Sequence, residues 1–285
     1  MKNCISILAL LFLTNFIAAQ NTTLDSNVID LWPYKVPGAT EKKQDPLFSK
    51  DTTNNVKRIS VVTNPRITIF KPEKSKKNGA SIIISPGGGY HILAIDLEGF
   101  EIAKWLAKKG YTAIVLEYRV PQNYDGALMD LQRALRIVKS NAEKWQLDSS
   151  KIGVLGFSAG ASLSARLSTN YNNSLYPKID EIDSLSAKPA FAVLIYPAFL
   201  DEGPNDSLTT ELKLDKETPP MFIFATSDDP FANSALVMAS SLRNNKTPVE
   251  LHLYPDGGHG YGLRNGNVAA EKWPLLVEEW LASFL

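Results

Sequence analysis

The chain has 285 residues, of which 44% are hydrophobic and 21% charged, and its formal net charge is zero at neutral pH. This composition is that of a folded globular protein and argues against a disordered chain. No long lysine or arginine run is present, which argues against a surface that follows the phosphates of nucleic acids.

The N-terminal segment has the pattern of a secretory signal peptide. Lys2 precedes the apolar stretch ISILALLFLTNFIAA, which ends in small residues, as a signal with a small-residue cleavage site does. We predict a signal peptide over residues 1–19, cleavage after Ala19, export to the periplasm or beyond the cell, and no stable membrane insertion afterwards. An uncleaved anchor is the alternative. The single cysteine, Cys4, lies in this segment, so the predicted mature chain has no disulfide and no thiol nucleophile.

The mature sequence, residues 20–285, alternates between β-rich and helical segments. A polar stretch up to about residue 57 predicts an extended arm, and RISVVT and RITIFKP predict an antiparallel pair around an Asn-Pro turn. The further predicted strands are ASIIIS, YTAIVLEYRV, KIGVLGFS, AFAVLIYP, PPMFIFAT and PVELHLYP. The predicted helices are EGFEIAKWLAKKG, GALMDLQRALRIVKSNAEKWQ, AGASLSARLSTN, NSALVMASSLRNN and KWPLLVEEWLASFL. This alternation predicts one α/β domain, a mostly parallel sheet with helices on both faces.

A candidate nucleophile follows one of the predicted strands. GFSAG, residues 156–160, fits Gly-x-Ser-x-Gly and lies between the strand KIGVLGF and a helix of small residues. Such a strand-to-helix turn holds a serine in a strained conformation with its hydroxyl exposed. Ser158 is therefore the predicted nucleophile, and a helix N-cap is the structural alternative.

Few residues could serve as the general base or as the carboxylate that orients it. A serine hydroxyl needs a base, and the chain has three histidines. His252 falls within a predicted strand, which favours a structural role, whereas His259 lies in the glycine-rich loop DGGHGYG after the last strand and is the predicted base. Asp228 and Asp229 both follow the strand PPMFIF. We predict that Asp228 orients His259 and that Asp229 caps the next helix.

With these residues in place, the sequence resembles the α/β-hydrolase superfamily and, within it, secreted acetyl xylan esterase and feruloyl esterase-like carbohydrate esterases. The segments that carry the resemblance are LWPYKVPGA, PGGGYHILAIDLEG, EYRVP, GFSAGASL, TSDDP and GGHGYGL. The resemblance implies an α/β-hydrolase fold with a mostly parallel eight-stranded sheet. The chain order Ser158, Asp228, His259 is that of this superfamily.

The glycine-rich loop PGGGY resembles the oxyanion-hole motif of lipases and esterases, with Pro86 in place of a histidine. The resemblance implies that Gly88, Gly89 and Ala159 supply the N–H donors, with the amide of Tyr90 as a further candidate. A phosphate-binding loop is not supported, because no Gly-Lys-Ser/Thr ending follows.

Roles are also predicted for residues near this loop and in EYRVP. Tyr90, His91 and Glu98 are candidate substrate contacts, although Glu98 equally suits a role in fixing the loop. Arg119, in EYRVP, is predicted to form a structural ion pair.

The predicted function is removal of acetyl groups from xylan-type polysaccharide or oligosaccharides through an acyl-enzyme. No cofactor or metal and no nucleic-acid partner are expected, and the sequence does not indicate an oligomeric state. The alternatives are a feruloyl or general short-chain carboxylesterase, a prolyl oligopeptidase-like peptidase, and a non-catalytic carbohydrate-binding protein.

Overall fold

A computed structural model describes residues 26–285, and the predicted signal peptide with Cys4 lies outside these residues. One eight-stranded sheet and one small three-stranded sheet hold all the strands of this part of the chain. In chain order the strands are β1 Ser26–Asp30, β2 Leu47–Phe48, β3 Arg58–Val61, β4 Arg66–Phe70, β5 Ser81–Ser85, β6 Leu93–Ala94, β7 Thr112–Glu117, β8 Ile152–Phe157, β9 Ala192–Ile195, β10 Met221–Thr226 and β11 Val249–Tyr254. No helix within residues 26–285 is both long and apolar enough to cross a bilayer.

The large sheet has the order β1-β4-β7-β5-β8-β9-β10-β11. Strand β4 runs antiparallel to both its neighbours, and every other pairing in this sheet is parallel. Its central strands consist of β-branched and other apolar residues, and Ile82, Ile83 and Ile84 of β5 have no exposed surface. This is the pattern of strands that helices cover on both faces. The predicted mostly parallel, eight-stranded sheet is confirmed.

Five of the helices lie in connections between strands of this sheet, and α6 follows the last strand. They are α1 Glu101–Lys108, α2 Tyr124–Ser140, α3 Ala142–Trp145, α4 Ala159–Asn170, α5 Ala232–Asn244 and α6 Val268–Ala282. The connection through α1 leads from β5 to β7, whereas those through α2 and α4 lead in the opposite direction across the sheet. Right-handed crossovers therefore place α1 on one face and α2 and α4 on the other. Contact between Trp105 of α1 and Trp273 of α6 places α6 beside α1.

The predicted antiparallel pairing of RISVVT with RITIFKP is wrong. Strand β3 pairs with β2 and β6 in the small sheet, whereas β4 pairs with β1 and β7 in the large one. The reason is that β1, from the N-terminal arm, occupies one edge of β4 and β7 occupies the other. No edge of β4 is left for β3.

A buried polar cluster ties the arm to the domain. The side chain of Asp130, in α2, accepts hydrogen bonds from Trp32 Nε1 at 2.8 Å and from Arg119 Nε at 2.9 Å. Arg119 Nη1 also donates to the carbonyl of Pro37 at 2.6 Å. All of the Asp130 side chain is shielded from solvent. The structural ion pair predicted for Arg119 is confirmed.

We expect Asp130→Ala to lower the free energy of unfolding by about 3–5 kcal/mol, because it leaves the Arg119 guanidinium buried without its partner. Urea unfolding followed by circular dichroism measures this loss. Glu143→Ala, at an exposed position of α3, is the control and should change the value by less than about 0.5 kcal/mol. Equal effects of the two substitutions would show that the cluster does not contribute to the free energy of unfolding beyond an ordinary surface position.

Candidate active site

Five neighbouring parallel strands supply the candidate site from their carboxyl ends. The glycine loop follows β5, Ser158 follows β8 and Tyr196 follows β9. Asp229 follows β10 at a distance of three residues, and the loop that carries His259 follows β11. Because the carboxyl ends of parallel strands lie along one edge of a sheet, segments far apart in sequence meet there, as ligand-binding residues do in open α/β sheets.

Ser158 occupies a strained turn between β8 and α4. Its φ of 51° and ψ of −119° lie outside the regions that L-residues favour. A Cβ at Gly156 would lie 2.0 Å from the carbonyl oxygen of Gly160, and one at Gly160 would lie 2.0 Å from that of Ser85. Both flanking positions therefore require glycine. The predicted nucleophile turn is present, and the Ser158 side chain stands at the entrance of helix α4.

Three side chains form a continuous hydrogen-bonded chain. His259 Nε2 lies 2.8 Å from Ser158 Oγ, and His259 Nδ1 lies 2.7 Å from Asp229 Oδ2. The Asp229 side chain is completely buried, whereas that of His259 is 23% exposed. This is the arrangement of nucleophile, base and orienting carboxylate found in serine hydrolases.

The carboxylate prediction is wrong by one residue. Asp228 is exposed and does not contact the imidazole through a hydrogen bond, because its two oxygens accept from the N–H groups of Gly257 and Gly258 at 3.1 and 2.9 Å. These hydrogen bonds, that from Gly258 foremost, hold the pKa of Asp228 below its ordinary value. The helix cap predicted for Asp229 is not formed, because α5 has Phe231 at its N-cap without a side-chain cap, and Asp229 Oδ1 accepts the N–H of Phe231 at 2.8 Å in the turn before the helix. Asp229 thus binds both His259 and the turn before α5, and Asp228 fixes the start of the His259 loop.

The glycine loop lies against the nucleophile. A Cβ at Gly87 would lie 2.9 Å from Ser158 Cβ and 2.6 Å from the carbonyl oxygen of Phe157, so the loop can approach this closely only with glycine. The Tyr118 hydroxyl holds the loop by donating to the Pro86 carbonyl at 2.6 Å. Within the described residues, the N–H groups of Gly88 and Gly89 donate to no protein acceptor.

A cavity of about 580 Å³ opens above Ser158 and His259. Gly88 and Gly89 form part of its wall. Its apolar wall consists of Val56, Ile92, Ala94, Leu97, Phe199, Phe231 and Tyr261. Its polar wall contains Asn54, Arg58, Arg264, Asn265 and Asn267. Such a mixture of apolar surface and a few polar groups is typical of small-molecule sites.

Two of the three predicted substrate contacts lie elsewhere. Tyr90 is 1% exposed and packs among aromatic rings such as Tyr118 and Tyr124, so its side chain does not reach the cavity. His91 is exposed outside the cavity wall. The reason is a tight turn in which the N–H of His91 donates to the Gly88 carbonyl, with Tyr90 at a φ of 59°.

Glu98, the third predicted contact, does line the cavity, and both its oxygens are engaged by the protein. Its Oε2 accepts from the N–H of Gly87 at 2.8 Å, and its Oε1 accepts from the Tyr196 hydroxyl at 2.8 Å. This favours a role in fixing the loop over direct sugar binding.

Tyr196 and the polar wall of the cavity were not predicted from the sequence. Tyr196 had a usable signal, since it lies at the carboxyl end of the predicted strand AFAVLIYP. Asn54 and Arg58 had none, because they come from the arm and the small sheet, which no local pattern connects with Ser158.

His252 has the structural surroundings expected of it, with its ring near Phe222 and its Nε2 2.7 Å from Glu250 Oε1. Within residues 26–285, no group of three or more His, Cys, Asp or Glu side chains is placed to hold a metal ion.

Comparison with known proteins agrees with this fold. Residues 67–200 match the family model BD-FAE. An α/β-hydrolase from a Medee basin deep-sea metagenome library superposes with a TM-score of 0.63 at 29% identity, covering 77% of this chain and 92% of its own. The chain has the α/β-hydrolase fold, as its strand order, the turn at Ser158 and these matches show.

Two similar proteins have names that state a particular activity. The chain is 29% identical over 225 residues to an acetylxylan esterase of Xylanibacter ruminicola, a match that covers 70% of this chain and 44% of that protein. An acetyl ester-xyloside bifunctional hydrolase of Caldicellulosiruptor lactoaceticus superposes with a TM-score of 0.72 at 29% identity, covering 90% of this chain and 96% of its own. The chain spans less than half the length of the first of these relatives.

Proposed function

We propose that this protein is a serine esterase that removes acetyl groups from xylan-type polysaccharide or its fragments through an acyl-enzyme. The observation that carries the proposal is the chain of hydrogen bonds from Ser158 through His259 to the buried Asp229, at 2.8 and 2.7 Å. The open cavity above Ser158 leaves room for an ester at this point.

The first half of the reaction uses all three side chains. His259 Nε2 removes the proton of the Ser158 hydroxyl while Oγ attacks the ester carbonyl. Asp229 accepts a hydrogen bond from the Nδ1–H group of His259, which fixes the imidazole tautomer and stabilises the imidazolium that forms. The imidazolium then protonates the departing alcohol, and the acyl group remains on Ser158.

Backbone N–H groups are the proposed hydrogen-bond donors to the oxyanion of the tetrahedral intermediate. Gly88 and Gly89 lie in the cavity wall, and their N–H groups have no protein acceptor among the described residues. The N–H of Ala159, the first residue of α4, also lacks an intrahelical partner, as at every helix start. Loss of one such donor costs about 3 kcal/mol in related reactions. Water activated by His259 then releases the acyl group.

The cavity supports an acetylated carbohydrate as substrate. Amide and guanidinium groups of Asn54, Asn265 and Arg264 offer hydrogen-bond donors to sugar hydroxyls, and the apolar side chains suit sugar rings and a short acyl chain. The two relatives whose names include acetyl ester or acetylxylan hydrolysis point in the same direction. A feruloyl or general short-chain carboxylesterase shares every step of this mechanism and is the second candidate.

A panel of esters separates these substrates. We expect release of acetate from acetylated xylan and xylo-oligosaccharides, and p-nitrophenyl ester hydrolysis that falls as the acyl chain lengthens from acetate to octanoate. Release of acetate from peracetylated glucose tests whether the enzyme also accepts acetylated sugars other than xylose. Faster turnover of methyl ferulate than of acetylated xylo-oligosaccharides would favour the feruloyl alternative. Cleavage of peptide arylamides without action on esters would indicate a peptidase, and binding without any turnover would indicate a carbohydrate-binding protein.

A further inference from the structure

Glu98 is a buried carboxylate that the proposed reaction does not use. It is 3% exposed and lies in the turn that precedes α1, on the wall of the cavity above Ser158. Burial raises its pKa, and the hydrogen bonds from the Tyr196 hydroxyl and the Gly87 N–H act in the opposite direction. A glutamine or an apolar residue would avoid this desolvation. The carboxylate therefore indicates a role beyond packing.

Its first contact is with the glycine loop. Glu98 Oε2 accepts the Gly87 N–H at 2.8 Å, and a Cβ at Gly87 would lie 2.8 Å from the same oxygen and 2.9 Å from Ser158 Cβ. The backbone of Gly87 is thus held between Glu98 and the nucleophile. The next two residues, Gly88 and Gly89, are the proposed oxyanion donors. The hydrogen bond at Gly87 therefore fixes the backbone directly before them and so helps to position their N–H groups.

Its second contact leads to the base. Tyr196, at the end of β9, is completely buried and donates its hydroxyl proton to Glu98 Oε1. The same hydroxyl oxygen accepts the N–H of Gly262 at 3.1 Å, three residues after His259. The Tyr196 ring also packs edge-to-face on the imidazole of His259, with ring centroids 5.0 Å apart.

These contacts form one unbroken path of three hydrogen bonds, from Gly87 through Glu98 and Tyr196 to Gly262. We propose that Glu98 and Tyr196 are positioning residues that hold the oxyanion loop and the His259 loop in one fixed relation, so that donors and base meet the same tetrahedral intermediate. This inference rests on the proposed serine chemistry. It assigns a function to two residues outside the triad and the oxyanion hole.

Glu98→Gln and Tyr196→Phe test the path from its two ends. In Glu98→Gln an amide NH₂ replaces one acceptor oxygen, and in Tyr196→Phe both hydroxyl bonds are lost. Because a displacement of 1 Å at a reacting centre can lower a rate about 100-fold, we expect kcat for p-nitrophenyl acetate to fall about 10- to 100-fold in each variant, with KM nearly unchanged. The double variant should lose little more than the worse single one, since both break the same path.

A second readout separates this inference from the choice of substrate. Diethyl p-nitrophenyl phosphate phosphorylates a serine nucleophile and releases p-nitrophenolate, so its rate reports Ser158, His259 and the oxyanion donors without any sugar. We expect this rate to fall by the same factor in both variants. Glu117→Gln is the matched control, because Glu117 is also a buried glutamate, paired with Arg66 in the sheet. It should lower the melting temperature and leave both rates unchanged.

Each result decides between the alternatives. Unchanged phosphorylation rates in folded Glu98→Gln and Tyr196→Phe would overturn the positioning role. An increase in KM at constant kcat would do the same and make Glu98 a substrate contact. If Glu98→Gln does not fold, Tyr196→Phe alone decides. A wild-type protein that reacts with the phosphate ester but hydrolyses no ester of the panel would refute the proposed function and leave the path testable. Failure of Ser158 to react at all would refute both.

Discussion

Replacement of Ser158 by alanine is expected to lower kcat for p-nitrophenyl acetate about a million-fold, the scale at which a serine nucleophile is lost in other hydrolases. The hydroxyl is the atom that becomes acylated, and no other side chain within hydrogen-bonding distance of His259 Nε2 among the described residues can replace it. Steady-state kinetics with purified protein measures the loss. Circular dichroism and thermal melting are expected to remain those of the wild type, because alanine fits the same strained turn.

Ser168→Ala is the control for this substitution. Ser168 lies in the same helix, α4, and its hydroxyl donates to the carbonyl of Ser164 at 2.8 Å, away from the cavity. It should retain full activity. Normal hydrolysis by folded Ser158→Ala would mean that the nucleophile is another group and that the proposed mechanism is wrong.

Asp229→Asn is expected to lower kcat about 10,000-fold, while Asp228→Asn changes it less than about tenfold. Asparagine at 229 presents its NH₂ to His259 Nδ1, which imposes the tautomer that carries its proton on Nε2 and so prevents removal of the Ser158 proton. Asparagine at 228 still accepts one of the two N–H groups it now binds, and a single lost hydrogen bond is worth about 1 kcal/mol. Parallel measurement of kcat/KM for both variants makes the comparison. If Asp228→Asn were the more damaging change, the carboxylate that orients His259 would be Asp228, and the arrangement of this loop described above would be wrong.

The pair of aspartates shows where sequence reasoning ends. The strand, the turn after it and the need for a carboxylate at that place were all predictable from PPMFIFATSDD. Which of two adjacent side chains turns toward His259 depends on the N–H groups of Gly257 and Gly258, which come from a loop some 30 residues later and bind Asp228. No local pattern contains that information.

The same contrast holds for the rest of the molecule. The alternation of strands and helices and the context of Ser158 are local, and both were predicted. The partner of β3 and the direction of His91 were not, because the first depends on the pairing of both edges of β4 with β1 and β7, and the second on a turn with positive φ at Tyr90. The polar wall of the cavity joins residues 54–58 to residues 264–267, a distance in sequence that no periodicity spans.

The attachment of the His259 loop to α6 has a consequence for the order of synthesis. Asn267 Nδ2 donates to the carbonyl of Gly257 at 2.8 Å, and Trp273 Nε1 donates to that of Gly262 at 2.9 Å. The base is therefore secured by residues translated more than 100 positions after the nucleophile. At about 10 residues per second, a nascent chain carries Ser158 for roughly ten seconds without its general base. Catalytic competence thus requires that α6 has been translated, and we expect a polypeptide interrupted before α6 to be inactive.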